Sequence, residues 1–274
     1  MPELPEVETV RRTLNKLVVG KTICDVTIHL PRIIRQPDDS EVFRKELIGT
    51  TITEVGRRGK FLKIVCDPWV IVSHLRMEGK YRLAGQKEPY EKHTHVIFHF
   101  TDGTELRYRD VRQFGTMHLY PKGEEENHLP LKKLGPEPLS DRFSLEWFKA
   151  ALSKRKTKIK AVLLNQEFLV GLGNIYVDES LFSAGIHPER PASSLSDAEI
   201  ERLYHSIKET LAEAVKSGGS SVRSYLNGEG EMGMFQLRIQ VYGRKNEPCP
   251  RCGKAIERIV VAGRGTHVCT ACQK

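Results

Sequence analysis

"CPRCGKAIERIVVAGRGTHVCTAC" (Cys249–Cys272) places four cysteines as C-x2-C-x16-C-x2-C. Two such knuckles suit one zinc ion held tetrahedrally by the thiolates of Cys249, Cys252, Cys269 and Cys272. Disulfides are the alternative, and they are rare in a chain expected to work in a reducing cytosol. Four thiolates close the shell, so the zinc is expected to be structural and no catalytic metal is expected, since a catalytic zinc keeps one position for water. So small a module cannot bury a core of its own, and thiolate–zinc bonds must supply much of its folding free energy. Within it, apolar runs near 256–261 and 266–268 around the tip "AGRGT" predict two strands.

Outward from this module the charge thins. The chain of 274 residues carries +8 formally, and its last 34 residues alone carry +5. A solvated, solubilising surface accounts for a dispersed surplus, whereas concentration in one small module points to a polyanion such as nucleic acid. No apolar run approaches the ~20 residues a membrane helix needs, and the start lacks a secretory profile, so a cytoplasmic location is expected. Cys24 and Cys66 stand singly in apolar stretches and read as buried, inert thiols.

Upstream, periodicity divides the rest. Helical spacing predicts helices over 144–154, 157–165, 174–184 and 197–216, the last opened by a capping box from Ser196 to Glu199. The Pro-, Gly- and charge-rich stretch 121–140 reads as a connector. Before it, "VTIHL", "TTITEV", "FLKIVC", "WVIVSHL", "HVIFHF", "ELRYR" and "TMHLY" predict seven or eight strands in an antiparallel sandwich or barrel. An opening helix from Pro5 shows Val7, Val10, Leu14, Leu17 and Val18 on one face and ends before Gly20, with Glu6 and Glu8 complementing its dipole. The organisation expected is 1–130, 131–235 and 236–274.

Several residues have chemistry to offer. The α-amine has a reference pKa of roughly 7.7–8.0, so at pH 7 it is the best amine nucleophile of the chain. Removal of Met1 makes it the secondary amine of Pro2, whose adduct with a sugar carbon is an iminium with no N–H to lose. Glu3 is a candidate proton donor and acceptor beside it. Alone, Met-Pro is simply a common start. Gly171 and Gly173 lead to Asn174, which suits either a helix cap or a phosphate site, with Arg155, Lys156, Lys158 and Lys160 upstream. Met77 and Phe114 suit either the core or a wedge between bases, and Arg112 could donate to an unpaired base edge. Residues 218–236, with five glycines, read as a flexible loop or a lid.

Six motifs in order, "PELPEVETVRR", "GRRGKFL", "SHLRMEGKY", "YRDVRQFGTMHL", "GLGNIYVDE" and "GRGTHVCTACQ", make the whole chain resemble the bacterial formamidopyrimidine-DNA glycosylases. Thr270 departs from the proline usual there, with no consequence expected for the metal. The resemblance implies an α+β chain: an N-terminal antiparallel β-sandwich with an N-terminal helix, a helical domain with a helix-two-turns-helix motif, and a four-cysteine zinc β-hairpin. It also implies excision of oxidised purines opposite cytosine in double-stranded DNA, and strand cleavage, by a monomer. By the same resemblance Pro2 is the nucleophile, Glu3 the acid/base, and Lys60 the lysine near lesion and phosphate, counted with them in the catalytic group. Asn174 and Arg264 clamp phosphates, with Arg264 also counted in the catalytic group. Met77, Arg112 and Phe114 fill the gap, His74 and Tyr242 touch DNA, and 218–236 covers the extruded base. The sister type, endonuclease VIII, resembles "PEGPEIRR" at its start, unlike Leu4 and "VETV" here. A zinc-module DNA binder without catalysis, and a proline base acting on keto acids, are the readings from other classes.

Overall fold

The computed structural model describes residues 1–220 and 234–274, in two compact units. The first comprises residues 1–133 with Gly218, Gly219 and Ser220; the second comprises Leu134–Ser217 and Met234–Lys274.

The first unit is a two-sheet sandwich. Helix α1 (Leu4–Val18) buries Leu4, Val7, Val10, Leu14 and Val18 along one face. It starts in a capping box between Glu3 and Glu6, with Pro5 in its first turn. Next come β1 (Ile23–Ile28), β2 (Ile34–Gln36), α2 (Ser40–Leu47), β3 (Thr51–Arg58), β4 (Phe61–Asp67) and β5 (Trp69–His74). β6 (Lys80–Gly85), β7 (Thr94–Phe100), β8 (Thr104–Arg109) and β9 (Thr116–Pro121) complete it. One sheet has the order β1-β7-β8-β6 and the other β2-β9-β5-β4-β3, with only β2 and β9 parallel among these pairs. Their facing apolar side chains, with those of α1 and α2, form one core. α1 lies along β3, where Val55 N donates to Asn15 Oδ1 at 3.0 Å.

Nine strands stand where seven or eight were expected. β2 has only three residues, the six of β6 bury just Tyr81 and Ala84, and α2 contributes only Phe43 and Leu47 to the core, so none carries a long periodic signal. Cys66 is buried as expected, and burial pushes its thiol up to about 12. Cys24 is exposed, contrary to expectation. It sits in the register shift between Ile23 and Asp25, where an extra residue turns out of the alternation.

The second unit is helical. α3 (Leu145–Ser153), α4 (Ile159–Leu164), α5 (Asn174–Ala184) and α6 (Asp197–Lys216) are followed by the hairpin β10 (Glu257–Val261) and β11 (Arg264–Val268). α6 has the expected Ser196–Glu199 capping box. α5 is buried almost all round, so it serves as the central post against which α4, α6 and β11 pack. No helix among the described residues is long and apolar enough to cross a membrane.

Candidate active site

At the start of α1 the chain turns inward: Met1 is exposed while Pro2 is buried and Glu3 is 2% exposed. Glu3 N donates to Glu6 Oε2 at 2.8 Å. Glu6 does more than offset a dipole, because it is itself buried and its other oxygen accepts from Ser220 N at 2.7 Å. A Cβ on Gly219 would come within 2.7 Å of that oxygen, and φ there is +80°, so glycine permits the approach. One carboxylate thus ties the backbone of Glu3 to that of Ser220. Glu8 is partly buried, which would raise its carboxyl, but Arg11, Arg12 and Arg57 hold it below the ordinary carboxylate range.

Lys60 lies in the turn joining β3 to β4 and is 5% exposed. Beside it, Phe61 pairs with His74 across β4 and β5, and their rings meet edge to face at 4.5 Å. His74 is buried, which lowers its pKa to about 3, with Arg76, Lys60 and His118 acting in the same direction. Its ring is therefore neutral at physiological pH. Nδ1 accepts from Arg76 N at 2.9 Å, so the ring proton is assigned to Nε2, which becomes a fixed neutral donor.

Met77 and Phe114 are 37% and 52% exposed, so neither belongs to the core. Met77 sits on the loop between β5 and β6, and Arg112 and Phe114 on the loop between β8 and β9. The Arg112 guanidinium stands over the Phe114 ring, 5.0 Å from its centroid. Buried Asp110 holds this second loop, accepting from Arg112 N at 3.1 Å and Gly115 N at 2.8 Å.

In the second unit Gly173, not Asn174, is the N-cap of α5. The Asn174 side chain instead donates to Gly265 O at 2.8 Å, tying the start of α5 to β11 beside exposed Arg264. An amide NH2 has two hydrogens, so bracing Gly265 is compatible with donation to a phosphate. One helical turn on, Asp178 accepts from His267 N at 2.8 Å and from Lys160 Nζ at 2.5 Å. Lys160 is fully buried, so it leaves the set of upstream basic residues expected to face a phosphate. Glu179 accepts three backbone N–H groups, from Gln240, Val241 and Tyr242, each at 2.9 Å. Burial still pushes its carboxyl above the ordinary value. Tyr242 is half-buried with its ring edge to face against His267. The 221–233 part of the expected covering loop lies outside the described residues.

Sequence reasoning missed Glu6 as a tie to Ser220, and it missed the buried Lys160–Asp178 ion pair and Glu179 as the acceptor of three backbone N–H groups. The signal for the last was present: "IYVDESLF" sets two adjacent carboxylates inside an apolar helix, where a charge needs a partner.

The four hairpin cysteines have their Sγ atoms within 4.8 Å of one another, with Cys249 and Cys272 at 3.9 Å and Cys252 and Cys269 at 3.5 Å. A tetrahedron with Zn–S near 2.3 Å requires S···S of about 3.8 Å, whereas a disulfide requires about 2.05 Å. The cysteines therefore fit one structural zinc. It is the one such cluster among the described residues.

A β-sandwich, a helical unit and a four-cysteine hairpin, in this order along the chain, match the class of zinc-finger DNA glycosylases. Three family models match in order: the formamidopyrimidine-DNA glycosylase N-terminal domain over 1–117, the H2TH domain of the same enzymes over 134–225, and the zinc finger found in FPG and IleRS over 246–274. The formamidopyrimidine-DNA glycosylase of Brevibacillus brevis is 63% identical over 274 residues, covering 100% of this chain and 99% of its own. That of Bacillus subtilis is 59% identical over 273 residues, with the same coverage. Among solved structures, Lactococcus lactis Fpg bound to DNA containing N7-benzyl-Fapy-dG superposes with a TM-score of 0.93 at 47% identity, covering 100% of both chains. The same protein bound to DNA with an abasic site gives 0.94 at 46%, covering 99% of both. The chain belongs to the formamidopyrimidine-DNA glycosylase family.

Proposed function

We propose that this enzyme excises oxidised purines, 8-oxoguanine and formamidopyrimidines, opposite cytosine in duplex DNA and then cleaves the strand at the abasic site. The observation that carries the reading is the burial together, at one helix start, of a proline able to present a secondary amine and a carboxylate. Pro2 nitrogen, freed by loss of exposed Met1, attacks C1′ of the damaged nucleotide as the base departs with a proton. The sugar opens to an iminium on Pro2, with Glu3 moving protons on the deoxyribose. Loss of a 2′ proton expels the 3′ phosphate, and a second elimination expels the 5′ phosphate. Water then hydrolyses the remaining iminium, releasing the unsaturated sugar aldehyde and the free Pro2 amine.

A base inside a duplex is out of reach, and flipping it costs a few kcal/mol. Met77 and Phe114 are exposed apolar side chains suited to fill the gap, and Arg112 to donate to the orphaned cytosine. Lys60 and the Nε2–H of neutral His74 are suited to phosphate or lesion. Asn174, Tyr242 and Arg264 are suited to phosphates, which position the duplex without reading its sequence. The Lactococcus protein's complexes with a formamidopyrimidine and with an abasic site support both halves of the activity. The enzyme is proposed to act as a cytoplasmic monomer.

Borohydride reduction during turnover on an 8-oxoguanine·cytosine duplex tests the reading. The native protein is expected to be trapped covalently, and Pro2→Gly and Glu3→Gln to lose trapping; equal trapping by N-terminally blocked protein would remove Pro2 from the mechanism. A thymine-glycol duplex processed faster than 8-oxoguanine would move the chain to the pyrimidine-specific sister type.

A further inference from the structure

Met77 and the Arg112–Phe114 pair stand on different loops, yet a gap-filling wedge needs a fixed spacing between them. Both loops leave the same end of one sheet, because Lys80 opposite Arg109 is the end pair of the β6–β8 ladder. The spacing is then decided by what lies beneath them. That floor is Tyr108, the next residue inward on β8, paired with Tyr81 and fully buried.

Two glycines meet its ring, one from each loop. A Cβ on Gly115 would fall on the Tyr108 hydroxyl, 2.7 Å from Cζ and 3.2 Å from Asp110 Oδ2. A Cβ on Gly79 would overlap the same hydroxyl, at 3.0 Å from Cζ and 2.7 Å from Leu75 O. Neither position has room for any side chain. The hydroxyl also points at Asp110 Oδ2, 3.4 Å away, and that oxygen accepts from Gly115 N. One phenol thus abuts the backbone of both loops and the carboxylate that shapes the second.

We infer that Tyr108 is a positioning residue, a spacer against which both loops are set so that Met77 and the Arg112–Phe114 pair enter the duplex at a fixed separation. The inference rests on the reading of those three side chains as the gap-filling group. Tyr108 itself touches no DNA and takes no part in the chemistry.

The test compares two substrates of the full-length zinc-loaded enzyme: an 8-oxoguanine·cytosine duplex, which needs a wedge, and a single-stranded oligonucleotide with an abasic site, which has no opposing base. Tyr108→Phe removes the hydroxyl and keeps the ring. It is expected to slow duplex excision about tenfold and leave single-strand cleavage unchanged, since misplacement of about 1 Å can cost up to a hundredfold. Gly115→Ala, which forces the phenol or the loop aside, is expected to cost more on the duplex. If Gly115→Ala fails to fold, Tyr108→Phe alone decides.

Introduced into a Met77→Ala/Arg112→Ala/Phe114→Ala background, Tyr108→Phe is expected to cost nothing further, whereas a purely structural tyrosine would add its own loss. Wild-type duplex rates for folded Tyr108→Phe, or an additive loss in that background, would overturn the inference. Wild-type duplex excision by Met77→Ala/Arg112→Ala/Phe114→Ala itself would instead overturn the wedge reading beneath it.

Discussion

At the start of α1 a proline and two glutamates are packed into the sandwich by the chain alone, through a capping box and one carboxylate shared with Ser220. At the β10–β11 hairpin an exposed arginine is held out on a piece with little core of its own. It depends on four thiolates within 4.8 Å and on Asn174, Asp178 and Lys160 behind it. The first arrangement keeps these groups dry and immobile, which suits the covalent chemistry proposed for them. The second keeps a cation in water on a rigid mount, which suits a phosphate. The difference implies that chemistry and grip are separable.

The largest expected effect comes from the tip. Glu3→Gln should lower excision about 10²- to 10⁴-fold, the range for a positioned acid/base, while DNA affinity measured by anisotropy stays within a few-fold. A matching loss of affinity would dissolve the division. Next comes the mount itself. Lys160→Met leaves the Asp178 charge buried without its cation and should cost about 3–5 kcal/mol in denaturant unfolding, with Lys160→Met/Asp178→Asn recovering much of it. An unchanged midpoint for the single variant would show that this pair does not brace the hairpin.

Chelation of the zinc should weaken duplex binding about a hundredfold, while cleavage of a single-stranded abasic oligonucleotide, assigned by the proposed function to the tip, is expected to persist. Loss of both together would mean that the tip depends on the hairpin. The smallest effect concerns His74. Its folded pKa is depressed from 6.5 to about 3, so it is neutral when folded and takes a proton when unfolded below pH 6.5. Its contribution is complete above pH 6.5 and is lost as pH falls toward 3. Between pH 6.5 and 4.5 the native enzyme should therefore lose about 2 kcal/mol more stability than His74→Gln, read from melting curves across that range.

Much of this arrangement is legible in the sequence because it rests on spacing. The thiolate knuckles, the apolar face of α1 and the Ser196–Glu199 box are periodic or fixed-offset signals, and each appears where expected. Pairings across long sequence separations are not legible that way. Glu6 reads as a helix-start charge until Ser220, 214 residues away, is found on it. Lys160 reads as one more surface cation until Asp178 covers it. Asn174 reads as a cap because its residue type suits one, but Gly173 takes the cap and frees the amide to reach Gly265. Exposure of Met77 and Phe114 likewise depends on which side of a loop faces solvent, which no local pattern encodes.

The separation of chemistry from grip stands or falls on which nitrogen meets the sugar. Peptide mapping by mass spectrometry of the borohydride-reduced protein–DNA adduct locates it directly. If the tip does the chemistry, the sugar remnant lies on a peptide that begins at Pro2, lacks Met1 and carries the added mass on its N-terminal nitrogen. A remnant on Lys60 or any other lysine, with the N-terminal peptide unmodified, would contradict it.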